Sequence, residues 1–158
     1  MKKVDLLLTN TLIVTQDQNR SILPESSIAI SGNRIAAIGP TKELEGQYTA
    51  EKIIDLKGKI VFPGLINTHD HLFQVATKGL GEDMSVQDWV YVVTAPTAAN
   101  ISPQEMYTVC LTGCLELIHC GVTSLIDMNY MAQTFAHHDE NIHALVDSGL
   151  RSIYTSII

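Results

Sequence analysis

Two histidines, His69 and His71, follow the apolar stretch Leu65-Ile66 and the pair Asn67-Thr68 at a spacing of two. Side chains at i and i+2 leave an extended chain on the same face. Two imidazoles placed in this way reach one point in space, which is how a protein begins a zinc or iron site. Neutral imidazoles hold such an ion while leaving positions open for water, and the ion lowers the pKa of that water toward about 7. The pair therefore reads as the first half of a metal-dependent hydrolase site. His-x-His alone equally describes two polar residues in a loop. The preceding Pro63-Gly64, a buried strand and Asn67-Thr68 favour the metal. By the same period of two, Asp70 points away and is structural.

Other candidates are weaker. Asp127 and Asn129 close a second apolar run, where they either line a pocket and support a ligand or simply end a strand. Asp and Asn are common turn formers, which favours the plain ending. His137 and His138 are adjacent, so regular structure does not give them one face, and both are expected to be solvated. His119 falls in the last turn of a helix, where positive charge is favoured. His143 sits mid-helix without an evident partner.

The elements that must position the pair change character at Pro63-Gly64. Residues 4–62 read as β structure. Runs at 4–9 and 12–15 are separated by Asn10-Thr11, and a hairpin over 26–38 turns at Gly32-Asn33. A helical turn fits 41–46, and a second tight turn at Lys57-Gly58 joins 53–56 to 59–62. The expected assembly is a small antiparallel sheet. Beyond residue 64 the order is strand, loop, helix, strand. Residues 72–84 have no clear period and read as a long loop, and a short helix over 86–93 starts at Ser85 with Asp88. Ser102-Pro103-Gln104-Glu105 is a strong helix start, and Gly121 is its stop. A strand over 122–127, a helix over 139–148, Gly149 and a strand over 150–158 repeat the pattern. This is the rhythm of βα units in a parallel sheet, with loops after the strands on one face.

Bulk properties exclude several classes. The 158 residues are 46% hydrophobic and 17% charged, with a formal net charge of −7. Without a basic stripe, nucleic-acid binding has no electrostatic basis. No apolar run is long enough to span a membrane. The N-terminal apolar run is broken by Asp5, Thr9 and Asn10, so a signal peptide is not expected and the protein is expected to be cytoplasmic. Cys110, Cys114 and Cys120 fall within one expected helix and read as small core residues, not as a disulfide framework.

The stretch Lys57-Gly58-Lys59-Ile60-Val61-Phe62-Pro63-Gly64-Leu65-Ile66-Asn67-Thr68-His69-Asp70-His71 resembles the start of the barrel in the metal-dependent amidohydrolase superfamily. The β-rich residues before it resemble the N-terminal part of that family's small β-sandwich. Leu72-Phe73-Gln74, Asp88-Trp89 and Gly121-Val122-Thr123-Ser124 are similar to the subgroup of s-triazine hydrolases and cyclic-amidine or nucleobase deaminases. The resemblance covers essentially the whole chain.

The resemblance implies an α/β fold: a partial (β/α)8 TIM-type barrel, its first three strands within 63–158, preceded by part of a β-sandwich over 1–62. His69 and His71 match first-strand metal ligands. Gln74 and Trp89 match positions that face the substrate ring, although a core or interface role suits Trp89 as well. Asn129 is a further substrate-side candidate. The cofactor is one divalent ion, zinc before iron. The implied parent is a homo-oligomer that hydrolyses C–N bonds of a small cyclic amidine or aminated heterocycle. Alternatives are a triazine-type dehalogenase or cyclic amide hydrolase on the same scaffold, or a non-catalytic fragment or degenerate paralogue. The family draws its other metal ligands and its proton-transfer residues from later strands. No catalytic acid or base is identifiable in these 158 residues. The sequence thus reads as truncated, and the isolated chain is expected to be inactive.

Overall fold

The computed structural model describes residues 1–156 and divides into two units, Met1–Pro63 and the chain from Gly64 onward. In the first unit, β1 (Lys2–Val14) is the central strand. It pairs antiparallel with β2 (Ile22–Ser31), which pairs antiparallel with β3 (Arg34–Pro40) across Gly32-Asn33. The positive φ of Gly32, 55°, is the conformation that such a turn demands. Asn10-Thr11 does not separate two strands as the sequence suggests. It is an irregularity inside one long strand, with Asn10 at φ 56°.

The fully antiparallel sheet is corrected. After α1 (Thr41–Gln47), β4 (Tyr48–Asp55) and β5 (Ile60–Val61) both run parallel to β1, at successive places along it. Lys57-Gly58 is a turn, closed by Lys59 N donating to Leu56 O at 2.8 Å, but the chain leaves it in its original direction. The Thr11 hydroxyl donates to Lys59 O at 2.8 Å, and Leu56 N donates to Thr9 O, so β1 holds both sides of the excursion. Local turn chemistry cannot distinguish a hairpin from such a looped-out segment; the partner strand decides. Val4, Leu7, Ala29, Leu44 and Tyr48 form the core of this unit.

The second unit contains three parallel strands in the order β6 (Leu65–Asp70), β7 (Val122–Asn129), β8 (Arg151–Ser156). Each connection contains a helix: α4 (Pro103–His119) lies between β6 and β7, and α5 (Phe135–Ser148) between β7 and β8. The Ser102–Glu105 capping box forms in both directions, and Gly121 and Gly149 take positive φ after the helices. Met106, Cys110 and Cys114 of α4 pack with Leu72, Phe73, Leu125, Ala144 and Leu145. Gly113 lets α4 approach, since a Cβ there would lie 2.8 Å from Leu72 Cδ2.

Several boundaries differ from the expected ones. Residues Leu72–Thr77 form a 3-10 turn at the start of the expected loop, because Leu72 and Phe73 are core residues. The short helix continues from α2 (Val86–Trp89) through a π turn, Val90–Thr94, into α3 (Ala95–Asn100). Helix α5 begins four residues early, so His137 and His138 are helical. Cys120 is exposed beyond the end of α4 and is not a core residue. The expected last strand runs on to 158, and its final two residues lie outside the described ones. Among the described residues no helix is long and apolar enough to cross a membrane.

Candidate functional site

The end of β6 is shaped by its own short polar side chains. Pairing passes from Asn67–Leu125 to Asp70–Asp127, so β6 carries one more residue than β7 over this interval. A bulge at a strand end re-aims side chains. Here the Asn67 side-chain Oδ1 accepts from His69 N at 3.2 Å, and Asn67 Nδ2 donates to the Asp70 carboxylate. Asp70 also accepts from His71 N at 2.8 Å, so its carboxylate shapes the backbone. The rings of His69 and His71 come together edge to face, with centroids 4.8 Å apart and planes at 77°.

The imidazole of His71 is further held by β7. Its Nδ1 lies 2.7 Å from the Met128 carbonyl oxygen. A carbonyl only accepts, so Nδ1 carries the proton and Nε2 of the neutral ring keeps its lone pair. Tyr130, just beyond β7, sets its ring against His71 at 4.9 Å and against Phe73 at 5.1 Å. Gln74 donates through Nε2 to the Tyr130 hydroxyl. Burial pushes the Tyr130 phenol pKa up, and the Gln74 bond opposes this. His69, His71, Gln74 and Trp89 share the lining of a surface cavity of about 510 Å³. Trp89 is seated over Gly81, where φ is 81° and a Cβ would lie 2.5 Å from the indole Cδ1. A separate cavity of about 580 Å³, beside α4, contains neither histidine of the pair.

Asn129 is placed elsewhere. It is fully buried, and its amide is used up inside the protein: Nδ2 donates to Asn141 Oδ1 at 2.8 Å, and Oδ1 accepts from Met131 N at 3.1 Å. No part of it faces the cavity of the histidine pair. Asp127 is not a plain strand ending either. It is fully buried and accepts from Leu72 N at 3.0 Å and Asn141 Nδ2 at 2.8 Å. Burial raises its pKa, and the two donors oppose the shift.

The expected solvated pair is also corrected. His137 is buried, with Nε2 donating to Ile101 O at 2.9 Å and Nδ1 facing the Thr134 hydroxyl at 2.8 Å. His138 meets the Tyr154 hydroxyl through Nδ1. Both are occupied in packing the start of α5. Residue-level reading missed Tyr130, Asn141 and the Met128 carbonyl. Tyr130 had a usable signal, since it follows a parallel strand at the end that carries the histidines. The other two had none, because one is a backbone atom and the other a mid-helix Asn.

The donor chemistry of His69 and His71 suits a borderline-soft divalent ion, with the His71 tautomer already set by its carbonyl partner. Among the described residues no three His, Cys, Asp or Glu side chains converge as a metal site. The pair thus fits part of a coordination shell, and a tetrahedral site needs four ligands.

Comparison with known proteins extends these observations. Residues 60–156 match the Amidohydrolase family. The chain is 29% identical over 160 residues to 5-methylthioadenosine/S-adenosylhomocysteine deaminase 1 of Syntrophus aciditrophicus (strain SB), covering 100% of this chain and 34% of that protein. It is 32% identical over 149 residues to 5'-deoxyadenosine deaminase of Methanosarcina mazei, covering 94% and 32%. A mutant of atrazine chlorohydrolase from Arthrobacter aurescens TC1, complexed with zinc and atraton, superposes with a TM-score of 0.82 at 25% identity, covering 94% of this chain and 35% of that one. An adenosine deaminase from Xanthomonas campestris with bound zinc shares the fold, with a TM-score of 0.87 at 20% identity over 96% of this chain and 34% of that one. The chain spans about a third of the length of the curated relatives it matches. The family match starts in β5, runs through the histidine pair and all three parallel strands, and takes in more than half of the sequence; the chain belongs to the Amidohydrolase family.

Proposed function

We propose that this chain is the N-terminal part of a metal-dependent amidohydrolase of the deaminase type, acting on a C–N bond of a cyclic amidine or aminated heterocycle. The observation that carries the proposal is the edge-to-face pair His69 and His71 at the carboxyl end of β6, beside Gln74 and Trp89 in one cavity. The names of the relatives support the reaction class, since both curated proteins are deaminases of adenosine derivatives. Zinc in the superposed structures supports a divalent ion. In this proposal residues 1–62 are the first part of a β-sandwich. Residues 63–158 are the first βα units of a (β/α)8 barrel, with β6, β7 and β8 as its strands. Active sites of such barrels sit at the carboxyl ends of the strands, which is where the pair lies.

His69 and His71 would hold the ion, which when bound supplies a water acidic enough to act as nucleophile at neutral pH. This chain's own residues prepare that step. Met128 O holds the His71 ring with Nε2 bare, Tyr130 backs the ring, and Gln74 and Trp89 offer the ring of a substrate an amide and an aromatic edge. Displacement of a substituent from a triazine is the second candidate reaction, favoured by the likeness to the atrazine chlorohydrolase complexed with atraton. The test is ammonia release from aminated nucleosides, set against substituent release from triazines, by the full-length gene product with zinc. His69→Ala and His71→Ala are expected to abolish turnover and bound zinc together. A full-length product without bound metal would sink the proposal. The 158-residue chain alone is expected to show no turnover, because its described residues offer no cluster of three ligand groups for the ion; turnover by it would remove that part.

A further inference from the structure

We propose that Asp127, itself held by Asn141 of α5, is a positioning residue for the His71 imidazole. The proposal deepens the metal-site assignment and rests on it for the ligand role of His71. The geometry is a clamp between two strand ends. Leu72 N donates to Asp127 Oδ1 at 3.0 Å, and one residue earlier on the first strand end and one residue later on the second, His71 Nδ1 donates to the Met128 carbonyl at 2.7 Å. The Asp127 carboxylate thus fixes the backbone directly after His71, and the strand it belongs to then offers the ring its acceptor.

The carboxylate is in turn fixed from outside the strand. Asn141 Nδ2 donates to Asp127 Oδ2 at 2.8 Å, and Asn141 Oδ1 accepts from Asn129 Nδ2 at 2.8 Å. Asn129 Oδ1 accepts from Met131 N at 3.1 Å. Asp127, Asn129 and Asn141 are all 0% exposed. A buried carboxylate is costly unless its oxygens are satisfied. Here each oxygen meets one donor, one on each side, so the group is oriented as well as satisfied. An apolar side chain at position 127 would fill the same core without tying Leu72 to α5.

The pattern of donors makes an exchange test available. Asp127→Asn leaves one acceptor oxygen for two donors, so one bond is lost. Combining Asp127→Asn with Asn141→Asp reverses one bond and restores all. The carboxamide at 127 accepts from Leu72 N and donates to position 141, where the carboxylate also accepts from Asn129. Long-range proton–nitrogen NMR on the metal-free chain reads the His71 tautomer directly. The wild-type chain is expected to show Nδ1–H. Asp127→Asn is expected to shift His71 toward Nε2–H and to weaken cobalt(II) binding about tenfold, the scale of lost support behind a ligand. The double exchange is expected to return both signals.

An unchanged tautomer in folded Asp127→Asn overturns the proposal, and so does a double exchange that restores the fold but not the tautomer. If Asp127→Asn does not fold, Asn141→Ala, which leaves the Leu72 bond in place, decides. A smaller shift in the same direction supports the clamp, and no shift overturns it. Wild-type chain with the Nδ1–H tautomer but no cobalt binding would sink the metal-site assignment alone, while the NMR comparison still judges Asp127.

Discussion

His71 shows how much of a side chain's behaviour is set by the groups packed around it. Its Nδ1 proton goes to Met128 O, its ring rests against Tyr130, and the following amide is held by Asp127. Tyr130→Phe keeps the ring contacts and removes the acceptor of the Gln74 amide. It is expected to cost about 0.5–1.5 kcal/mol in urea unfolding, the range of one net hydrogen bond. The thiols give a second test at this scale. Burial pushes the Cys110 pKa far up and that of Cys114 up to about 11, whereas Cys120 is exposed. The two buried groups therefore stay protonated and inaccessible near pH 8. Mass spectrometry after brief alkylation is expected to find one adduct, on Cys120, in native chain, and three in urea. Early modification of Cys110 would contradict the packing of α4.

Helix α4 is the element on which the candidate site depends most. Its apolar stripe carries Met106, Cys110, Gly113 and Cys114, and Gly113 brings it against the 3-10 turn that follows His71. A Cβ at 113 would meet Leu72 Cδ2 at 2.8 Å and Val75 Cγ2 at 3.0 Å, and Leu72 is 1% exposed. Gly113→Ala is expected to cost about 1–3 kcal/mol by overpacking, despite the better helix propensity of Ala. Gly46 in α1 is the contrast. Nothing lies within 4 Å of its added Cβ and its φ is not positive, so Gly46→Ala is expected to gain about 0.4–1 kcal/mol. Equal effects of the two substitutions on the urea midpoint would refute the close approach at α4.

At the scale of the molecule, both units have apolar cores that need no ion. The second unit is centred on Leu72, Met106, Cys110, Leu125 and Leu145, with the histidine pair at its rim. Folding is therefore expected to be independent of metal, unlike that of small domains whose stability comes from zinc. The chelator-treated 158-residue chain is expected to keep one cooperative thermal transition, its midpoint below that of the zinc-loaded chain only by the amount that binding to the folded state supplies. Loss of the cooperative transition on chelation would place the ion inside the fold. The same experiment gives stoichiometry, with no more than one ion expected per chain.

Wherever the cause is local, the sequence by itself determined the outcome. Ser102-Pro103-Gln104-Glu105 starts α4 because cap and reciprocal carboxylate lie within four residues, and Gly121 and Gly149 stop helices because they accept positive φ. Repeated helix–Gly–strand order gave parallel β6, β7 and β8, and the i, i+2 spacing gave the meeting of His69 and His71. Tertiary structure decided whatever depends on a distant partner. Lys57-Gly58 looks like a hairpin turn until β1 accepts the chain on both sides of it in one direction. His137 and His138 look solvated until Ile101 O and Tyr154 reach them. Asn129 looks like a pocket residue until Asn141 takes its amide. Hydrogen-bond donors and acceptors are fixed by residue type, but their partners are fixed by the fold. That is why the meeting of His69 and His71 was legible in the chain, and the hydrogen bonds that hold His71 were not.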